Sequence, residues 1–402
     1  MKKENVAHKT VVVVLGGSSA GALGVIRDLS KHDIPVYAVE SDRKQVFIYS
    51  KYCKKFICPN AKNHEQAYID FLVNIGKTFK TKAVLMPTGD IESRAILKHK
   101  DELISYFHFI SSDIEISDIL LNKSRFYKFL EKCDIAHPKT YFPDSSSSLE
   151  EICENMIFPC ILKPVFSARF TSDFKKKAFI AKSKEELINH YNLAKEKNHE
   201  IIIQEIIPGD ASNMIGLNAY YNEKSEPLGV FIHRRIRQWP ADFGNGCFIE
   251  HIYQEDIENI VNSLIKKIKY HGIVDAEFKK DPRDNIYKLI EINSRAWMQI
   301  SYPNAYGMNI AYQSYLSSIG KNIQINMETK KNNNIKWLYF FYDIRASLHL
   351  IKHGKLSIKD WIDSYKCKKK YGIFARDDPL PFLVLLLLSI FHLLFYPFIK
   401  NS

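Results

Sequence analysis

Gly272-Ile273-Val274-Asp275-Ala276-Glu277-Phe278-Lys279, the turn Asp281-Pro282-Arg283-Asp284-Asn285, and Tyr287-Lys288-Leu289-Ile290-Glu291-Ile292-Asn293 read together as one hairpin. In an antiparallel pair, facing positions sum to a constant. A loop symmetric about Asp284 therefore sets Glu277 opposite Glu291 and Asp275 opposite Asn293. One face then carries Asp275, Glu277, Glu291 and Asn293, while Val274, Ala276, Phe278, Ile290 and Ile292 point to the core. Opposed carboxylates with Cβ atoms roughly 5 Å apart destabilise a sheet unless positive charge lies between them. A divalent cation supplies that charge, and an all-oxygen set with few carboxylates suits Mg²⁺, which keeps waters and shares phosphate oxygens. The alternative is a solvated polar face neutralised by Lys279 or Arg295.

Upstream of the hairpin lie segments that fit a nucleotide. Lys163 ends the apolar strand Phe158-Pro159-Cys160-Ile161-Leu162-Lys163-Pro164, where an ammonium on a dry wall can reach a phosphate. Gln204-Glu205-Ile206-Ile207-Pro208-Gly209-Asp210 offers a strand edge for a purine and a turn acid for ribose hydroxyls. Arg234, Arg235 and Arg237 share one short stretch, and alternation points Arg235 and Arg237 to one face. Guanidinium groups there suit a transferring phosphoryl group or an acyl phosphate. Taken singly, the lysine and the Gln204 to Asp210 segment are also ordinary strand ends, and the arginines also fit plain surface charge.

The amino-terminal part reads as alternating strand and helix. Val11 to Leu15 runs into Gly16-Gly17-Ser18-Ser19-Ala20-Gly21-Ala22-Leu23-Gly24, then a helix to about Lys31 and a strand Pro35 to Val39 closing on Glu40. Ala83 to Met86 leads through Pro87-Thr88-Gly89-Asp90 into another helix, which makes a parallel α/β domain of about 120 residues. Gly16, Gly21 and Gly24 fit either a phosphate-binding turn or a tight turn that binds nothing, and Glu40 stands where a dinucleotide fold places its ribose acid. An NAD-dependent oxidoreductase is therefore the rival reading.

A chain of 402 residues with 46% hydrophobic content buries a sizeable core and has room for two or three domains. Its seven cysteines are scattered, which fits reduced thiols in a cytosol. The net charge of +12 comes from dispersed lysines without a basic strip interleaved with aromatics, so nucleic acid is not the expected partner.

In their order these pieces resemble the ATP-grasp superfamily, in particular the carboxylate–amine ligases related to D-aspartate ligase and to the ligase domains of carbamoyl-phosphate synthase. The resemblance covers roughly residues 10 to 310. It implies an α/β chain with a Rossmann-like pre-ATP-grasp domain (1–120) and an α+β ATP-grasp domain (121–320); a basic extension (321–378) follows them. It implies metal ligands Glu277, Glu291 and Asn293, with Mg²⁺ or alternatively Mn²⁺. ATP contacts fall on Lys123, Lys163, Gln204, Glu205, Ile206, Ile207 and Asp210, and catalytic positions on Arg235, Arg237 and Arg295. The implied reaction joins a small-molecule carboxylate to an amine through an acyl phosphate and releases ADP and phosphate. Thr88, Asp90 and Glu40 lie in loops that reach the substrate. One departure is that Val165 to Ser172 contains no glycine where the family covers the triphosphate with a glycine-rich loop, leaving Ser167, Thr171 or Lys177 to help. A catalytically silent scaffold of the same fold is the remaining alternative.

Pro379 to Ile399 runs without a charged residue, and as a helix is about 30 Å long. Lys352, Lys355, Lys359, Lys366, Lys368, Lys369 and Lys370 precede it, which favours the cytosolic side of a membrane. A tether at the cytoplasmic face of the cell membrane is expected, with a helix lying in the interface as the alternative.

Overall fold

A computed structural model describes the backbone of residues 9–143, 146–321 and 334–399, with the side chains of 146–147, 167–168 and 392–399 outside that description. Residues 144 and 145 lie outside the described residues, and the helix Ser146–Asn155 follows them directly.

Three sheets follow one another along the chain. The first contains β1 (Val12–Gly17), β2 (Val36–Glu40), β3 (Lys54–Ile57), β4 (Ala83–Thr88) and β5 (Phe107–Phe109), all parallel in the order β3-β2-β1-β4-β5. Val12 to Leu15 are fully buried because helices cover both faces, the condition under which a strand is a continuous apolar run. The second contains β6 (Thr140–Tyr141), β7 (Cys160–Pro164), β8 (Phe179–Ala181) and β9 (Ile201–Glu205), in the order β6-β9-β7-β8 with antiparallel pairing. The third contains β10 (Met214–Tyr221), β11 (Pro227–Trp239), β12 (Asn245–His251), β13 (Gly272–Lys280), β14 (Tyr287–Asn293), β15 (Ile335–Leu338) and β16 (Lys368–Tyr371). Its order is β14-β13-β10-β11-β12-β15-β16, so the carboxy-terminal region extends this sheet at one edge.

The hairpin has the register deduced from its sequence as far as Glu277, with Asp275 opposite Asn293 and Glu277 opposite Glu291. Beyond that point a bulge sets Phe278 opposite Leu289. Leu289 rather than Ile290 therefore enters the core, which corrects the strict alternation expected of β14. Val274, Ala276, Phe278 and Ile292 pack there against Leu264 and Ile265 of the helix Glu255–Ile268.

The glycine turn is used for packing. A Cβ on Gly21 would lie 2.8 Å from the Trp297 carbonyl oxygen, and one on Gly24 would lie 2.7 Å from Ile300 Cγ2. These glycines let the helix Ser19–Ser30 press against the segment after β14, and the two domains share one core there. The Glu40 carboxylate lies over Gly16, where a Cβ would come within 2.2 Å of it, and accepts hydrogen bonds from the Ser41 and Asp42 amides. A carboxylate lying on the glycine turn takes up the space, and opposes the negative charge, of a pyrophosphate there, so the dinucleotide reading loses its physical basis.

All seven cysteines are free thiols. The apolar carboxy-terminal segment is helical over Leu380–Ile399. Among the described residues no helix is long and apolar enough to cross a membrane, so the expected spanning segment finds no support.

Candidate functional site

The three sheets enclose one cavity of about 1560 Å³. Lys123, Lys163, Gln204, Glu205, Ile206, Ile207, Asp210, Arg235, Arg237, Glu277, Glu291, Asn293 and Arg295 all line it, as do Thr88 and Asp90 of the first domain. Residues spread over more than 200 positions of sequence thus meet at one place.

Its floor is the Asp275, Glu277, Glu291, Asn293 face. Asn218, directly across from Asp275 on β10, donates through Nδ2 to Asp275 Oδ1 at 2.7 Å. Asn293 donates through Nδ2 to Asp275 Oδ2 at 3.1 Å, which orients the amide and leaves its Oδ1 as an acceptor 3.5 Å from Arg295 Nη2. Burial raises the carboxyls of Asp275 and Glu277, and repulsion among the acids adds to it. Arg235 answers part of that charge, with Nη2 2.6 Å from Glu277 Oε1. It is held in place by donating through Nη1 to Gly244 O and Gln238 Oε1.

Lys279 does not neutralise this face. Its ammonium donates to the carbonyls of Ile207 and Gly209 at 2.8 and 2.9 Å, gripping the turn after β9. Sequence reading missed this role, because alternation alone does not say how far a long side chain reaches. Asn218 was also missed, although a polar residue among the apolar neighbours of β10 was a signal.

Lys163 extends from β7 and donates to Gln204 Oε1 at 2.7 Å. Burial pushes its pKa down to about 8. Gln204 also donates to Thr140 Oγ1, so the lysine sits on a fixed support. The Glu205 carboxylate points away from a ligand role: it accepts from the Lys139 amide and from Arg283 Nη2 at 2.9 and 2.7 Å. That leaves the backbone of Glu205 to Ile207 as the strand edge on the cavity. Asp210 caps the following turn by accepting from the Ser212 amide and hydroxyl.

Arg237 and Arg295 are each held by a carboxylate from a distant part of the chain. Register shifts on either side of Arg237 break the repeat of β11. Arg237 lines the cavity wall, yet it makes four hydrogen bonds to Asp343 and Ser364 and lies over the Phe248 ring at 4.6 Å. Both members of the Arg237–Asp343 pair are buried, so Asp343→Ala strands a guanidinium without its partner. That change is expected to cost roughly 3–5 kcal/mol. A urea denaturation midpoint equal to wild type would refute the bracing role. Arg295 pairs with Asp90, joining the segment after β14 to the loop after β4.

The glycine-free stretch after Lys163 forms a short helix, Ser167–Phe174. Thr171 and Lys177 line the cavity, while the Ser167 side chain lies outside the described residues. Arg94 stacks on Phe166 with its guanidinium carbon 4.0 Å from the ring centroid, linking the first domain to this cover.

The donor set fits a hard cation. Among the described residues no group of three His, Cys, Asp or Glu gathers to hold a metal ion. The set here is two carboxylates and an amide oxygen, which suits an ion that completes its shell with phosphate and water oxygens.

No family model matches the chain. D-aspartate ligase of Enterococcus faecium is 29% identical over 323 residues, 76% of each chain. The biotin carboxylase of Campylobacter jejuni, solved as a beta-gamma-ATP complex, superposes with a TM-score of 0.64 at 13% identity, covering 82% of this chain and 75% of that one. The biotin carboxylase domain of Hydrogenobacter thermophilus 2-oxoglutarate carboxylase, solved with MgADP and bicarbonate, gives 0.62 at 15% identity, covering 81% and 73%. The solved structures share the fold of this chain. The chain is a homologue of D-aspartate ligase, and its fold is that of the ATP-grasp enzymes among its structural neighbours.

Proposed function

We propose that the chain activates the carboxylate of a small amino acid related to aspartate and joins it to an amine, at the cytoplasmic face of the cell membrane. The observation that carries this reading is the in-register pair Glu277 and Glu291 with Asn293 beside it, in a chain similar to D-aspartate ligase. Magnesium, when bound there, shields the phosphate oxygens and polarises the transferring phosphoryl group. Glu277, Glu291 and Asn293 are the residues that would hold it. Asp275 orients the Asn293 amide. Lys163 and Lys123 offset phosphate charge, and the Glu205 to Ile207 edge pairs with the purine while Asp210 faces the ribose. Arg235 and Arg295 stabilise negative charge on the acyl phosphate and on the tetrahedral oxyanion formed when the amine attacks. Arg237 supports the Arg235 strand through Asp343.

The test is hydroxylamine trapping with purified protein, ATP and Mg²⁺ or Mn²⁺. Aspartate of either hand is expected to yield a hydroxamate with stoichiometric ADP, one stereoisomer predominating. If neither aspartate nor any other amino acid releases ADP, the reading fails.

A further inference from the structure

The helix Leu380–Ile399 does not leave the protein surface at its start. Phe382, Val384, Leu385 and Leu388 pack against the core shared by the two domains, beside the turn Val46–Tyr49. Phe382 stacks with Phe341 at 5.8 Å and meets Phe374 edge-on at 5.4 Å. The segment just before the helix is anchored by Asp378, which is buried and accepts from Arg27, Ser50 and the Lys51 amide. The opposite face is also apolar: Leu380, Leu383, Leu387 and Ile390 are 44–66% exposed. The hydroxyl of Ser389 is spent on the Leu385 carbonyl.

Length decides between two arrangements. Leu380 to Ile390 is about 16 Å of helix, more than half of the rise of the whole element. Over that length one face is against protein, so it cannot be surrounded by hydrocarbon as a spanning helix requires. A helix with one face docked and the other apolar is instead suited to lie along a bilayer surface. Its surroundings match that partner. Arg43, Lys51 and Lys55 are exposed around the turn Val46–Tyr49, and Arg376 is exposed just before the helix. Lys55 lies over the Tyr49 ring, and the Tyr49 hydroxyl donates to the Arg43 carbonyl, so these cations stand beside the docked helix. Phe340, Tyr371 and Phe374 are exposed near Phe382, the aromatic complement common at headgroup level.

The geometry points to an in-plane membrane contact: the stripe Leu380, Leu383, Leu387 and Ile390 enters the headgroup boundary of an anionic bilayer while the helix stays docked on the first domain. This rests on the membrane location given above and replaces a spanning anchor by a surface one.

The test uses the full chain with phosphatidylglycerol-containing vesicles and with pure phosphatidylcholine vesicles. Sedimentation with the anionic vesicles is expected, weakened by 0.5 M salt, and reduced roughly tenfold or more by Leu383→Glu/Leu387→Glu. ATP binding should be unchanged in that variant, which shows that it is folded. Release of the native protein from cell membranes by alkaline carbonate supports the surface contact. Resistance to carbonate overturns it and leaves the membrane location standing. Failure to bind any vesicle, with the protein in the cell supernatant, overturns both. Equal binding to neutral vesicles, or loss of a dimer as the sole effect of the double variant, also overturns it.

Discussion

Glu291→Gln is expected to abolish ADP formation while the metal-free protein melts at the same temperature or higher. The change keeps volume and leaves the β13–β14 ladder intact, but removes one of the two facing carboxylates. Like charges directly opposite cost a sheet roughly 0.2–1 kcal/mol, so the apo protein loses repulsion and no packing. A hard divalent ion loses half of its anionic protein ligands. Since metal stabilisation of transferred charge is worth several kcal/mol, turnover should fall by about two to four orders of magnitude. A coupled ADP assay and thermal melts with and without magnesium separate the two effects. Wild-type turnover, or a large drop in metal-free melting temperature, would remove Glu291 from the metal face.

Lys163→Met acts on the nucleotide instead. The thioether keeps the length of the chain along β7, and Gln204 retains its bond to Thr140. What disappears is an ammonium facing phosphate, and charge-assisted hydrogen bonds are worth about 1.5–3 kcal/mol, so the ATP requirement should rise roughly 10- to 100-fold. A pH signature accompanies it. Burial holds Lys163 near pKa 8 against 10.5 for an ordinary lysine, so between those values the unfolded chain binds the proton that the folded one has released. By linkage, this group raises stability as pH climbs from about 8 to 10.5, and the methionine variant lacks that gain. In the wild type, metal-free ATP binding should weaken over the lower part of the same window as the charge is lost. Titration calorimetry from pH 7 to 9 checks this, and equal nucleotide affinity in variant and wild type would reduce Lys163 to a strand-end residue.

Much of the site was legible because it rests on local periodicity. Alternation over Val274 to Asn293 and a short loop suffice to oppose Glu277 to Glu291, since a slip of one residue would send Phe278 and Ile292 to the cavity. The βα rhythm of the first domain was equally readable, because parallel strands buried on both faces appear as apolar runs between glycine turns. Where a bulge interrupts the repeat, the reading failed. Leu289 took the core position expected of Ile290, because one extra residue in a strand leaves no mark in composition.

The sequence by itself therefore determined the α/β fold class and the register that opposes Glu277 to Glu291, both of which follow from period-two and helix-period patterns within a few residues. The tertiary structure decided which charges are free to act. Asp343 lies 106 positions from the arginine it holds, Asp90 reaches Arg295 over 205 positions, and the Glu40 carboxylate accepts from its own turn. It also decided that the apolar carboxy-terminal helix starts against the first domain, through Asp378 and Phe382. Such pairings depend on where separate elements come to rest, and burial then makes each unpaired charge too costly to leave without a partner.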